Sequence, residues 1–475
     1  MNNTLRYPPS VDWETTSECN HNCIHCYNYW RKKSSGGCAL QPKEYYIRCA
    51  ERLIDSKPVS VQISGGEPLL VWDRIKEAIC MLIEAGINVS INTNATLVDD
   101  EKAAFLAENK IDAFVSFPCS RAEVFDRIVN RSGAKERAEK GILTLIRHGV
   151  RVSPNMVVTR INLPYVFETA KYVKEIFGVS YFSATKASFP QNADASFRSQ
   201  MLSSEEFNDM LRSLLQVKQE LGMRVDSAWV YSLCGFADDC TMQEFGFNRK
   251  CACGRYNFVL DASANMKACG CDSTSYGNLF EQSFECAIAG MNAWQDASLL
   301  APECKTCSVL KYCGGGCRAD SLSTNGAYCT LDSTADLKNY SRAIPASREN
   351  VRCDESLTIG LNKAAVFVRE KSCVRIGFRT NYEFISEELA EFLSSRDRFN
   401  VAQLKLASGQ DDERIGQCIQ KLLKKGFLLE CSEPSEETGT EKGCFALMCS
   451  PYVSDDASQL IRDYAGSENN SKRYS

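Results

Sequence analysis

The sequence predicts an α/β chain: a partial (β/α)6 TIM-like barrel, then a cysteine-rich domain, then a small C-terminal α+β domain of winged-helix type. Three observations predict it. Over residues 1–225, short β-rich runs alternate with stretches of helical length, the pattern of βα units around a parallel sheet. Between residues 226 and 345, cysteines crowd together with glycines. Over 355–432, strand-like runs come first and helical ones follow. A chain of 475 residues exceeds one ordinary core, so two or three domains are expected.

Composition narrows the function. A hydrophobic content of 44% and a charged content of 24% suit a soluble globular protein. The net charge of −5 gives no bulk attraction to nucleic acid, and no nucleic-acid partner is expected. No apolar run approaches the roughly 18 residues of a membrane span, so no membrane partner is expected. Residues 1–18 are polar and lack the apolar core of a secretory signal. The anomaly is sulfur, with 25 cysteines against 3 histidines. Without a signal, so many thiols imply a reducing cytoplasm and metal binding rather than disulfides. With so few histidines, sulfur must carry the ligation, which favours iron–sulfur clusters or all-cysteine zinc.

Residues 10–16 alternate weakly and read as a first strand, leading into Cys19-Asn20-His21-Asn22-Cys23-Ile24-His25-Cys26. Residues 58–64 (PVSVQIS) make a second strand ending in Gly65-Gly66-Glu67-Pro68, with a helix over 72–85. Strands over 88–93, 113–117, 151–159 and 179–184 follow, with helices over 99–109, 134–148, 163–177 and 203–221. Chemistry in such sheets gathers at the carboxyl ends of the strands. The cysteine triplet follows strand one and the glycine pair follows strand two, so both fall at that end.

Cys19, Cys23 and Cys26 are separated by three and then two residues. A cubane 4Fe–4S cluster normally takes four thiolates. Three local thiolates leave one iron open to chelate a small molecule, with the amino and carboxylate groups of S-adenosylmethionine as candidates. Tetrahedral zinc sites usually pair their ligands as two separated knuckles, although a zinc knuckle or three unrelated thiols would satisfy the spacing too. Gly65 and Gly66 let a ligand approach the backbone, and Glu67 offers a charge to an amino group. Residues 92–97 (NTNATL) follow strand three, where an Asx turn into a helix is an equal reading. Farther on, Cys304-x2-Cys307-x5-Cys313-x3-Cys317-x11-Cys329 encloses the glycines 314–316, and residues 255–269 read as a hairpin ending in Cys269. A pair of zinc ribbons would need only Cys304, Cys307, Cys313 and Cys317. Cys49, Cys80 and Cys119 read as buried apolar thiols, and Cys38 is unassigned.

The triplet closely resembles the signature of radical SAM enzymes, with His25 in the aromatic slot. Gly65-Gly66-Glu67-Pro68 matches the family's GGEP motif, and residues 92–97 resemble its T-N-G-T stretch with Ala95 in the glycine place. The resemblance implies one 4Fe–4S cluster on Cys19, Cys23 and Cys26. It also implies S-adenosylmethionine bound at Gly65, Gly66, Glu67 and Pro68, with Asn94 near it. The later cysteines resemble the SPASM module of enzymes that mature peptides and proteins, with Ala264 where that pattern has glycine. This implies two auxiliary 4Fe–4S clusters. One falls to Cys304, Cys307, Cys313 and Cys329. The other falls to Cys269, Cys317 and Cys251 or Cys253, with Cys234 or Cys240 as fourth ligand. Sulfatase-maturing relatives carry an aspartate after the hairpin cysteine. Gly270 stands there, which counts against formylglycine formation. Residues 115–118 (VSFP) lack the D-G aspartate of many peptide maturases.

Residues 363–379 read as two strands joined near 370–372, followed by helices over 386–395, 400–408 and 411–425 and a strand over 426–429. The order resembles the peptide-recognition element of peptide-modifying systems, which binds a leader peptide by adding a strand to its sheet. Residues 433–475 are a polar tail that carries Cys444 and Cys449. The function expected is a cytoplasmic radical SAM peptide maturase that forms a thioether or carbon–carbon crosslink in a ribosomal precursor peptide. Its expected electron donor is a reductase, flavodoxin or ferredoxin. A radical enzyme acting on a folded protein or small molecule, and a zinc-bearing scaffold, are the alternatives.

Overall fold

The computed structural model describes residues 5–28, 40–188, 194–337 and 357–430, apart from 228–229, 247–249, 297, 363–365, 371–372, 379–380, 397, 410–411 and 425–426. Cys38, Cys444 and Cys449 lie outside the described residues. The chain divides into two compact units, Tyr7–Ala343 and Ile344–Ser475 with Met1–Arg6.

The larger unit is built on a nine-stranded sheet. Its strands are β1 Ser10–Glu14, β2 Ser60–Ser64, β3 Asn88–Thr93, β4 Asp112–Ser116, β5 Val152–Val158, β6 Tyr181–Lys186, β7 Arg224–Asp226, β8 Asn257–Leu260 and β9 Met266–Lys267. They lie in the order β7-β6-β5-β4-β3-β2-β1-β8-β9. Every neighbouring pair is parallel except β8 and β9. The fold is the expected α/β partial barrel. Its six predicted strands are all present, and β7 and the β8–β9 hairpin extend the same sheet at its two edges. The hairpin expected within the cysteine-rich segment therefore pairs directly with β1, Ser10 opposite Asn257.

Seven helices cross between or follow the strands: α1 Lys43–Asp55, α2 Trp72–Glu84, α3 Asp100–Glu108, α4 Ala122–Val129, α5 Ala134–Arg147, α6 Val166–Phe177 and α7 Ser204–Leu221. The sequence reading missed α1 and α4. α4 is two turns long and buries only Phe125, Ile128 and Val129. Burial follows the period of two that a half-buried strand requires. Val89, Ile91 and Thr93 of β3 are buried while Asn88, Ser90 and Asn92 are half-buried, and β4 alternates the same way. The apolar set faces the helices: Trp13 meets Tyr46 of α1, and Phe117 meets Phe125 of α4 and Phe177 of α6. The polar set therefore lines the opposite, concave face. Of the thiols expected to be buried, Cys49 and Cys119 are, whereas Cys80 is half-buried because it sits on the outer flank of α2.

In the cysteine-rich segment, α8 Arg318–Asn325 starts directly after Cys317. The smaller unit has an antiparallel sheet β14-β10-β15, from β10 Thr358–Leu361, β14 Arg398–Asn400 and β15 Leu428–Glu430. A second sheet is the meander β11 Val366–Arg369, β12 Val374–Phe378 and β13 Asn381–Ile385. Helices α9 Glu387–Ser394, α10 Val401–Ser408 and α11 Asp412–Lys424 complete it, around a core with Ile359, Ile376, Leu389, Phe399 and Ile419. Two strands were expected before the helices, and four are present. Among the described residues, no helix is long and apolar enough to cross a membrane.

Candidate active site

The carboxyl ends of β1, β2 and β3 lie side by side, and three loops leave from them. The first carries Cys19, Cys23 and Cys26. All three are half-buried and none forms a disulfide. The loop is docked by its backbone on the end of α4, with Asn22 N donating to Val129 O and Ile24 N to Ile128 O. Within it, Cys26 N donates to Cys23 O, and His21 N reaches Cys19 Sγ at 3.4 Å. An amide aimed at a cysteine sulfur favours its thiolate. This donor chemistry fits a thiolate-held cluster. His25, in the aromatic slot, is kept neutral by burial, which lowers its pKa to about 4.

The second loop carries the glycines, and their necessity is visible. Gly65 has φ +132°, and a side chain there would run into the backbone of Thr15 and Thr16. At Gly66 a side chain would collide with the carbonyl of Glu18. Gly66 N donates to Thr16 O at 2.6 Å and Glu67 N to Glu18 O at 2.9 Å. The close approach that the glycines permit is thus made by the chain's own cysteine loop. Pro68 opens a 3-10 turn, Pro68–Val71, capped by Glu67.

Glu67 is almost fully buried, and its carboxylate accepts from Thr93 Oγ1 at 2.7 Å, Asn94 N at 2.8 Å and Leu69 N at 3.1 Å. Burial pushes its pKa up to about 7, against the pull of those three donors. The expected role of Glu67 was to meet an amino group. In this structure the carboxylate is engaged in clasping the second loop to the third. Asn94 continues the network: its Nδ2 donates to Asn20 Oδ1 at 2.8 Å, and Asn20 Nδ2 donates to Thr96 Oγ1 at 2.8 Å. The three loops are therefore one hydrogen-bonded body, and Asn20 is a member that the motif reading passed over. Ala95 sits at φ +59°, the conformation that makes glycine common at this place.

Two carboxyl groups were also missed. Asp12 and Glu14 alternate with the helix-facing Val11 and Trp13; Glu14 is buried and Asp12 is half-buried. The visible signal was a strand, SVDWE, that places charge on its second face. Asn257 Nδ2 donates to Asp12 at 2.9 Å. Burial pushes the Asp12 pKa up to about 6, with the charges of Glu14 and Cys269 adding to it. Deeper in, a side chain at Gly270 would touch the ring of Tyr27 at 3.1 Å and Glu14 Oε1 at 3.7 Å. The residue after Cys26 and the residue after Cys269 thus adjoin.

The remaining thiols fall into two sets. Cys251, Cys253, Cys269 and Cys271 form a chain of thiol–thiol hydrogen bonds, and Cys317 lies close enough to feel the charges of Cys251 and Cys269. Hydrogen bonding from Cys253, helped by the Arg318 guanidinium, favours the Cys251 thiolate. Cys234, Cys304, Cys307 and Cys313 form the second set, each within the electrostatic reach of others in it. Both Cys251 and Cys253 are in the first set. Cys234 is in the other set from the one expected, and Cys240 is an exposed residue of the helix Asp239–Phe245. Among the described residues, no three His, Cys, Asp or Glu side chains close on one point as they would around a single ion. A cubane spreads its ligands over separate irons.

The profile of the radical SAM superfamily matches residues 13–173, a span holding all three loops. Residues 13–173 are a radical SAM domain. That superfamily works with S-adenosylmethionine and a 4Fe–4S cluster. The enzyme is 23% identical over 343 residues to the AdoMet-dependent heme synthase of Oleidesulfovibrio alaskensis, covering 67% of this chain and 84% of that protein. It is 23% identical over 335 residues to the antilisterial bacteriocin subtilosin biosynthesis protein AlbA of Bacillus subtilis, covering 68% of this chain and 70% of that one. Its fold is shared with Streptococcus suis SuiB bound to the precursor peptide SuiA. The TM-score is 0.54 and the identity 17%, over 71% of this chain and 77% of that one.

Proposed function

We propose that this radical SAM enzyme modifies a ribosomally made precursor peptide, closing a thioether or carbon–carbon crosslink. When bound, the cofactor pair supplies a 5′-deoxyadenosyl radical, a hydrogen-abstracting species. The chain's own part is positional. Cys19, Cys23 and Cys26 would hold the first cluster. The Gly65–Glu67–Asn94 network fixes the loops that border it. The concave face, with Ser90, Asn92 and Asn155, offers hydrogen bonds to a polar substrate. We assign the two thiol sets to auxiliary 4Fe–4S clusters, and the first electron to a reductase, flavodoxin or ferredoxin.

The observation that carries the peptide reading is the β11-β12-β13 meander in a unit separate from the barrel. Among the described residues, β11 and β13 each pair on one side only, which leaves edges to which an extended leader peptide can add as a strand. The names of AlbA and of the SuiB complex support it. The likeness to heme synthases favours a second reading, a small-molecule substrate. The test is anaerobic incubation of the reconstituted enzyme with S-adenosylmethionine, a reductant and a precursor peptide encoded beside it. The expected result is 5′-deoxyadenosine together with a peptide lighter by a pair of hydrogens, dependent on the leader. Turnover of a porphyrin precursor, with no change in any peptide, would favour the second reading instead.

A further inference from the structure

The thiols of the cysteine-rich segment do not fall together as the resemblance to the SPASM module implies. That resemblance puts Cys329 with Cys304, Cys307 and Cys313. In the structure Cys329 is exposed, sits at φ +61° and gives its Sγ–H to Ser298 O at 3.0 Å, while its amide is held by Leu299 O at 3.1 Å.

Cys234 approaches the same set from upstream. It lies in the 3-10 turn Leu233–Gly235, and Leu233 N reaches Cys313 Sγ at 3.3 Å. Cys234 lies close enough to Cys313, Asp332 and Cys304 to feel their charges. The turn is held from several sides. Ser232 Oγ donates to Asp332 at 2.9 Å, Asn208 Nδ2 to Gly235 O at 2.9 Å, and Asp336 N to Cys234 O at 3.3 Å. A side chain at Gly235 would run into Thr334 O, so only glycine lets the turn seat this deeply.

We propose that Cys234, Cys304, Cys307 and Cys313 hold one auxiliary cluster, and that Cys329 is a non-ligand thiol at its margin. This rests on the auxiliary-cluster part of the function proposed above, and not on its peptide part.

The first test uses the parent enzyme, reconstituted anaerobically and exposed to iodoacetamide before and after iron chelation. Cys329 should label at once, whereas Cys234 should label only after chelation. Protection of Cys329 by iron, or labelling of Cys234 in the loaded enzyme, overturns the assignment, as does protection of Cys234 after chelation. The second test is metal content. Three cubanes give about twelve irons per chain. Cys329→Ala, at an exposed position, should keep them all, and Cys234→Ala and Cys304→Ala should each lose about four. Loss of about four irons from Cys329→Ala overturns the proposal. A parent enzyme that carries only about four irons removes the auxiliary clusters themselves, and this proposal with them, while leaving the peptide reading to its own test.

Discussion

Lys186 Nζ donates to Asp320 Oδ1 across 2.7 Å, with both side chains shut away from solvent. Lys186 ends β6, and Asp320 lies in the first turn of α8, three residues after Cys317. The other oxygen of Asp320 accepts from Ser333 N and Ser333 Oγ at 2.8 and 2.7 Å. The pair therefore pins the barrel edge to the segment that bears the later thiols. Removing one partner strands a buried charge, so Lys186→Met should cost about 3–5 kcal/mol in unfolding free energy. The double variant Lys186→Met, Asp320→Leu should recover only part, because Ser333 N then loses its acceptor. Denaturant unfolding measures both. A Lys186→Met chain as stable as the parent would show that the pair contributes nothing.

Gly66 separates the glycine loop from the cysteine loop by the width of a hydrogen atom. Gly66→Ala would drive a methyl group into Glu18 O, with backbone on both sides and no flexible side chain to yield. The 19–26 loop must move. The expected result is a folded chain that loses about four irons and no longer binds S-adenosylmethionine, with far-ultraviolet circular dichroism unchanged. Retention of full iron content and cofactor binding would refute the clamp.

Much of this arrangement was legible in the sequence, and the residues show why. The run NVSINT alternates so cleanly that β3 was placed at its observed bounds, and the helix expected over 203–221 is α7, whose start the structure shows closed by a capping box of Ser203 and Glu206. The three loops could be placed at the carboxyl ends because a parallel sheet puts them there. What was not legible needed three dimensions. Cys234 and Cys313 are 79 residues apart in the chain and join only through a turn whose anchor, Asp332, comes later still. Glu67 looked available because a motif names a residue without its partners. Thr93, Asn94 and Leu69 are the donors that occupy it.

Ala264 raised doubt about the hairpin because glycine is usual there. The turn forms nonetheless, with Ala264 at φ +61° and its amide donating to Asp261 O at 2.8 Å. Ala95 holds the same left-handed conformation at φ +59°. An alanine in that region costs about 1 kcal/mol or more, and glycine returns part of the gain through the entropy of the unfolded chain. Ala264→Gly and Ala95→Gly should each be neutral or stabilising by up to about 1 kcal/mol. Destabilisation by either would mean that the buried methyl group outweighs the backbone strain. Thermal unfolding of the two single variants and the double variant settles this, and the two sites are expected to add.

Asp12 makes stability depend on pH in an unusual direction. Burial raises its folded pKa to about 6 from an ordinary 3.8. Between those values the folded chain holds a proton that the unfolded chain has released. Stability therefore falls as pH rises through that window, and above it the ionised, half-buried carboxylate costs at most about 3 kcal/mol. Asp12→Asn keeps an oxygen for the Asn257 amide and removes the titration. The variant should be more stable than the parent at pH 7.5, and its advantage should shrink as pH falls toward 4. Glu14 is present in both proteins, so the difference between their stability curves isolates Asp12. An advantage that stays constant from pH 7.5 down to 5 would mean that Asp12 does not titrate there, and that the second face of β1 is wetter than its burial indicates.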